Sequence, residues 1–172
     1  QSILENKNAE RILIIGAAGF VGGYLARHLK NDLHRKTFLT KLPNEKINIE
    51  GFSVYDLDIL NQDQIRSILS TLHPDEIYHL AAQSSVSVSW NDPKLTAKVN
   101  ITGCLNLLEA VRSIPGYSPK IILVGSGEEY GRLPDGVSLV SEETQINPCN
   151  PYAVTKAAQN MFGTLYAKSY GM

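Results

Sequence analysis

Tyr152 and Lys156 stand four residues apart in PYAVTK, a spacing that puts both side chains on one face of a helix. An ammonium beside a phenol stabilises the phenolate, which suits a tyrosine that gives and takes a proton near neutral pH. Upstream, GSGEEYG (125–131) follows the apolar run 121–124 and presents the Ser126 hydroxyl and the Glu128 carboxylate where a buried strand should end. The Ser126 hydroxyl could hold a substrate oxygen. Glu129 reads as a solvated neighbour. A Tyr/Lys pair alone is an ordinary helix surface contact. With a serine at a strand end and a dinucleotide-type loop upstream, the set favours a catalytic proton-transfer role.

That upstream loop opens the chain, and its context suits a dinucleotide. Gly16-Ala17-Ala18-Gly19-Phe20-Val21-Gly22 joins an apolar strand to an amphipathic helix. Gly16 would permit the tight turn, Gly19 would let a pyrophosphate approach the backbone, and Gly22 would let the helix pack closely on the sheet. Phe20 and Val21, opening the helix, count as contacts of the same ligand. The acidic residue expected at the second strand's end, to hold a ribose 2′-hydroxyl, is missing; Thr40 and Lys41 stand there instead. Lys41 could pair with a 2′-phosphate, which tilts the choice toward NADP over NAD. It also reads as a solvated loop charge. Asp58 and Ile59 could contact adenine, although Asp58 equally suits a turn.

Apolar runs and helix-period segments alternate around these motifs. RILIIG (11–16) reads as a buried strand and FVGGYLARHLKN (20–31) as a helix with Val21, Leu25 and Leu29 on one face. Short strands are expected near 36–40 and 52–55. Asn61 caps a helix through Leu72 that ends at His73-Pro74. EIYHLAA (76–82) is the next strand, a long helix covers 93–114, IILVG (121–125) follows as a strand, and a last helix starts near Pro151. Repeated strand–helix–strand units imply an α/β fold, a doubly wound parallel sheet of the Rossmann type with ligands at the carboxyl ends of its strands. Residues 1–10 read as a polar lead-in and 11–172 as the dinucleotide-binding domain. A six-stranded sheet needs another strand after the closing KSYGM, so a domain lacking its C-terminal strands and a substrate domain is expected.

Composition narrows the partners. A chain of 172 residues holds one domain, and a net charge of −1 gives no reason to expect nucleic acid or an anionic membrane. No apolar run is long enough to span a bilayer. Cys104 and Cys149 form no metal-ligand spacing, and His28, His34, His73 and His79 show no HExxH pairing. No metal is expected, Cys104 reads as a buried thiol, and a reduced cytoplasmic setting is the default.

In order along the chain, GAAGFVG, HLAA (79–82), Asn100 within KVNITG, Ser126 and Tyr152-x-x-x-Lys156 resemble the extended short-chain dehydrogenase/reductases, the NAD-dependent epimerase/dehydratase family. The resemblance covers nearly everything from Arg11 onward. It implies Ser126, Tyr152 and Lys156 as the catalytic set, and Leu80, Ala81, Ala82, Tyr152 and Lys156 among the cofactor contacts. It gives Asn100 a supporting role toward the lysine, against the plain alternative of a mid-helix polar residue. Within that family, AAQSSVSVSW and GSGEEYG with NPCNPYAVTK are similar to enzymes of GDP-mannose derivatives, the 4,6-dehydratases and the GDP-4-dehydro-6-deoxy-D-mannose reductases. The GSxEEYG form and Trp90 look more like the reductase; the dehydratase typically has threonine where Ser126 stands and histidine where Ser85 stands.

The implied reaction is reduction of the C4 ketone of a GDP-linked 6-deoxyhexose. The alternatives are dehydration or epimerisation with Glu128 as acid/base and, in another class, a non-catalytic dinucleotide-binding module. Ser84, Ser85 and Trp90 are candidates for the sugar site, or else loop polars and a packed tryptophan. Asn150, where relatives often have serine, is expected to be a silent helix-cap change. Met161, Phe162, Leu165 and Tyr166 form a stripe that reads mostly as core. In the family this helix and the one over 93–114 commonly pair across a homodimer, which is the expected assembly.

Overall fold

The structure is a computed structural model that describes residues 10–136 and 139–172. The lead-in expected over 1–10 therefore lies outside the described residues apart from Glu10.

Five parallel strands, β1 (Arg11–Ile15), β2 (Lys36–Lys41), β3 (Ser53–Asp56), β4 (Glu76–His79) and β5 (Lys120–Leu123), form one sheet in the order β3-β2-β1-β4-β5. The central strand explains its own composition. Ile12 and Ile14 pack on one side of the sheet with Ala26, Leu29 and Leu39, while Leu13 and Ile15 pack on the other with Ile65, Leu69 and Leu107. Side chains alternate between faces, so a strand covered on both sides must be apolar throughout. Ile12 through Ile15 are each at most 1% exposed. Burying each such side chain stabilises the fold by about 1.5–3 kcal/mol.

The helices are α1 (Phe20–Arg27), α2 (Gln62–Leu72), α3 (Val86–Asn91), α4 (Pro93–Ala97), α5 (Gly103–Arg112) and α6 (Pro151–Tyr170). Helix α2 begins as expected: the Asn61 side chain accepts a hydrogen bond from the Gln64 amide at 3.0 Å. It ends at His73, whose φ of 44° is left-handed, directly before Pro74.

Three local expectations change. The buried residues of α1 are Gly22 and Ala26, Leu29 is buried in the wide turn His28–Asp32 that follows it, and Val21 is 56% exposed. The strand expected over 76–82 stops at His79, because the amides of Leu80 and Ala81 both turn onto the Ile15 carbonyl, at 2.9 and 3.0 Å. The rod over 93–114 is helical but widens into a π-type turn at Lys98–Thr102, which carries the buried Asn100. Such wide turns are frequent where a helix serves a site. The short α3, capped by Ser85, has no counterpart in the sequence reading.

Candidate active site

A cavity of about 580 Å³ opens at the carboxyl ends of β1, β2, β4 and β5. The glycine loop forms its floor. Gly16 has a φ of +82°, and a Cβ there would lie 2.6 Å from the Ala81 backbone; a Cβ on Gly22 would run into Ala17. A Cβ on Gly19 would meet only the Gly16 carbonyl oxygen at 3.9 Å, so the backbone there faces open space. Two glycines are demanded by packing, and the third leaves room for a ligand. Thr40 fastens this loop. Its hydroxyl accepts from the Gly16 amide at 3.2 Å, and its carbonyl accepts from the Ala17 amide at 2.8 Å. That residue stands in the acid's place at the end of β2 and is 1% exposed.

The rest of the floor and one wall come from distant segments. Phe20, Val21, Lys41, Asp58, Ile59, Leu80, Ala81, Ala82 and Ser84 line the same cavity as the three glycines, and so do Tyr152 and Lys156. The long stretch between Ser84 and Tyr152 is brought back by α6 lying against the end of β5. Lys41 is not a free cation: its Nζ lies 2.5 Å from Asp56 Oδ1 and 3.1 Å from the Leu42 carbonyl. Glu45 adds a carboxylate to the same end of the cavity. Asp58 also serves its own turn, accepting from the Leu60 amide at 2.9 Å.

Ser126 stands next to Gly125, which lines the cavity, and N-caps the tight turn Gly127–Tyr130. Its Oγ accepts from the Glu128 amide at 3.2 Å, which leaves the hydroxyl hydrogen available. The Glu128 carboxylate is exposed and accepts from Asn150 Nδ2 at 2.8 Å, while Asn150 Oδ1 accepts from the Ala153 amide at 2.8 Å. Asn150 is thus more than a silent cap. Its amide joins the Ser126 turn to the first turn of α6. Glu129, expected in solvent, is instead 6% exposed and accepts from the Ser126 amide at 2.7 Å and from Asn160 Nδ2 at 2.8 Å.

Lys156 is 4% exposed, and its Nζ donates to Gln159 Oε1 at 3.3 Å. Gln159 in turn donates from Nε2 to the Val124 carbonyl at 3.0 Å, pinning α6 to the end of β5. Burial pushes the lysine below its ordinary range, and Glu129 and then Cys104 pull it back up. Beneath it lies His79, fully buried, with no partner for either ring nitrogen among the described residues. Burial, then the charge of Lys156, hold that imidazole down to about 4.

Asn100 is fully buried and committed. Its Oδ1 accepts from the Gln83 amide at 2.8 Å, and its Nδ2 donates to the Gln83 carbonyl at 3.0 Å and to Thr155 Oγ1 at 2.9 Å. It clamps the loop after β4 to the residue preceding Lys156 and does not line the cavity. Ser85 caps α3 through the Val88 amide at 3.2 Å, and Trp90 is 63% exposed; neither lines the cavity. The tryptophan is therefore not packed beneath the loop. Sequence reasoning missed Thr40 as an anchor, placed Glu129 in solvent, and missed Asn160 and Gln159 altogether. Thr40 had a signal, a hydroxyl residue at the strand end beside the loop. The other three reveal themselves only once α6 is docked.

The sequence model of the GDP-mannose 4,6 dehydratase family matches residues 13–172. The chain belongs to that family, within the extended short-chain dehydrogenase/reductases. GDP-mannose 4,6 dehydratase 2 of Arabidopsis thaliana is 34% identical over 93% of this chain and 47% of its own length. GDP-6-deoxy-D-mannose reductase of Pseudomonas aeruginosa is 32% identical over 87% of this chain and 44% of its own. Among solved structures, UDP-glucose 4-epimerase of Thermus thermophilus in complex with NAD superposes with a TM-score of 0.86 at 32% identity, covering 94% of this chain and 52% of that one. RMD from Pseudomonas aeruginosa complexed with NADPH gives 0.78 at 30% identity, over 95% and 50%. The chain spans about half the length of the curated relatives it matches.

Proposed function

We propose that this chain is the dinucleotide-binding half of an NAD(P)-dependent nucleotide-sugar oxidoreductase that reduces the C4 ketone of GDP-4-dehydro-6-deoxy-D-mannose. The observation that carries the reading is that Tyr152 and Lys156 line the same cavity as Gly16, Gly19 and Gly22, with Ser126 beside its wall. A cradle floored by a glycine loop, with a proton-transfer pair at its far side, suits a dinucleotide whose reactive end faces a carbonyl. A relative named as a GDP-deoxysugar reductase and a neighbour complexed with NADPH support the choice.

When bound, the reduced nicotinamide supplies the hydride. The chain's residues manage the proton and the charge. Tyr152 gives its phenolic proton to the ketone oxygen as that oxygen becomes an alkoxide, and Lys156 stabilises the phenolate left behind. Ser126, its lone pair engaged by the Glu128 amide, donates its hydrogen to the same oxygen. Glu128 supports a second reading, nucleotide-sugar dehydration. It is an exposed carboxylate two residues past Ser126, tied to α6 through Asn150, where it could serve as acid or base.

A homodimer fits the outward face of α6, where Val154, Met161 and Leu165 are 50%, 55% and 57% exposed. The expected core stripe divides there. Met161 and Leu165 face out, whereas Phe162 is half-buried and the Tyr166 hydroxyl donates to Glu109 at 2.6 Å. Two free thiols, Cys104 and Cys149, fit a cytoplasmic setting.

The test supplies the full-length protein with GDP-4-dehydro-6-deoxy-D-mannose and NADPH or NADH. Stoichiometric cofactor oxidation with a GDP-deoxyhexose product is expected. Conversion of GDP-mannose to its 4-keto-6-deoxy form without net cofactor consumption would favour the dehydratase.

A further inference from the structure

Glu129 lies three residues beyond Ser126, on the turn that presents it, and its carboxylate points inward. Oε1 accepts from the Ser126 amide at 2.7 Å, and both oxygens accept from Asn160 Nδ2, at 3.0 and 2.8 Å. Asn160 follows Lys156 by four residues, so both lie on one face of α6. Gly125 completes the fit. A Cβ there would lie 2.9 Å from Glu129 Oε1 and 3.0 Å from Asn160 Nδ2, so the cavity wall beside Ser126 packs directly on this pair. The Glu129 carbonyl also accepts from the Asn147 amide at 2.8 Å, which holds the approach to α6.

A carboxylate this deeply buried needs a counter-charge, because neutral donors satisfy its lone pairs without neutralising it. The groups facing Lys156 are few. Cys104 comes from α5, with its thiol pushed up to about 12 by burial, and His79 comes from β4, held down to about 4. Tyr152 lies one turn earlier on α6 itself. At neutral pH the first two are uncharged, and the buried carboxylate on this face of α6 is that of Glu129, held by Asn160. We propose that Glu129 is a positioning residue of the site: it latches the Ser126 turn to α6 through Asn160 and stands as the counter-charge that keeps Lys156 an ammonium. The two ends of the catalytic wall are then set by one carboxylate. Its consequence for turnover rests on the catalytic reading of Tyr152 and Lys156 above; the charge pairing does not.

Two substitutions separate latch from charge. Glu129→Gln keeps an acceptor for Ser126 and Asn160 but removes the charge. Asn160→Ala removes the donor and keeps the charge. The Lys156 ammonium is followed by carbon NMR of the full chain labelled at lysine Cε, its signal assigned with Lys156→Met. In Glu129→Gln its titration midpoint should fall by about one pH unit. The alkaline limb of the pH profile of kcat in the full-length protein should move down with it. In Asn160→Ala the midpoint should stay where it is, while kcat falls about tenfold from misplacement of Ser126. A Lys156 midpoint unmoved by Glu129→Gln overturns the counter-charge, and an undiminished kcat in Asn160→Ala overturns the latch. If Glu129→Gln does not fold, Glu129→Asp decides: a midpoint held near wild type supports the pairing, and a fall like that predicted for Gln overturns it. Should the full-length protein reduce no nucleotide sugar while the Lys156 shift appears, the pairing stands and the functional reading falls.

Discussion

The two sides of the cavity are built on different principles. The side proposed to hold the cofactor is backbone: Gly16 and Gly22 are forced by contacts to Ala81 and Ala17, and Gly19 leaves open space. The side proposed to carry catalysis is side chains. Ser126, Glu128, Glu129, Asn150 and Asn160 are joined by hydrogen bonds across up to 31 residues of sequence, and Lys156 is tied through Gln159 to the Val124 carbonyl. A backbone cradle tolerates no added atoms but asks nothing of its neighbours' polarity. A side-chain wall tolerates changes of size but fails when one donor or acceptor is removed. Substitutions should therefore break the two sides in different ways, one by occlusion and the other by lost positioning.

The largest effect is expected at Tyr152. Tyr152→Phe removes one oxygen and should lower kcat by about 10²–10⁴-fold in the full-length protein, while NADPH binding, read by fluorescence, is retained. Activity within a few-fold of wild type would remove the tyrosine from its role. Gly16→Val tests the opposite side. It adds a β-branched side chain at a φ of +82° against the Ala81 backbone, so cofactor binding should be lost and thermal unfolding should drop by several degrees. A Gly16→Val chain that still binds cofactor would show that the cradle is wider than its backbone contacts imply.

The same contrast explains what could be read from the sequence. The strands and the glycine loop were legible because apolar runs and glycine spacing are local signals, and every residue expected to contact the cofactor lines the cavity except Asn100. The catalytic wall was legible only in its tyrosine, lysine and serine. Glu129 read as solvated because nothing local marks it as buried; its partner Asn160 lies 31 residues away, and only the docking of α6 unites them. Trp90 was weighed as a sugar-site residue or a packed tryptophan, and its exposure of 63% sets aside the second, because α3 turns it outward.

Asn100→Ala should cost about 1–3 kcal/mol in stability, because it leaves the part-buried backbone groups of Gln83 without their side-chain partner. Its effect on turnover should exceed its effect on cofactor affinity, since the clamp acts on α6 through Thr155. Equal losses in both would make Asn100 part of the cofactor side. His79 should show itself in acid. Its ordinary value is 6.5 and the folded value about 4, so between those pH values the unfolded chain binds a proton that the folded chain refuses. Stability from this group is complete above about 6.5, falls as pH drops toward 4, and changes no further below that. The full loss is on the order of 3 kcal/mol. His79→Leu should flatten that segment of a Tm-against-pH curve, and an unchanged slope would mean the imidazole is not the group titrating.

The smallest effect is expected at the adenosine end of the cradle, where the two building principles meet. Lys41 is the cation that could favour a 2′-phosphate, yet Asp56 holds it at 2.5 Å, and the Asp56 side chain is 54% exposed. A pair this accessible to water contributes less than about 1 kcal/mol, so a phosphate competes with Asp56 on nearly equal terms. Asp56→Asn frees Lys41 without altering the backbone and should raise NADPH affinity relative to NADH by about threefold, with global stability changed by no more than about 0.5 kcal/mol. Lys41→Ala should move the ratio in the opposite direction. Both changes should shrink as salt rises from about 50 to about 500 mM, because the group at stake is near solvent. If neither substitution moves the ratio, Lys41 belongs wholly to its surface pair, and discrimination at the 2′ position falls to Glu45 and the loop it stands on.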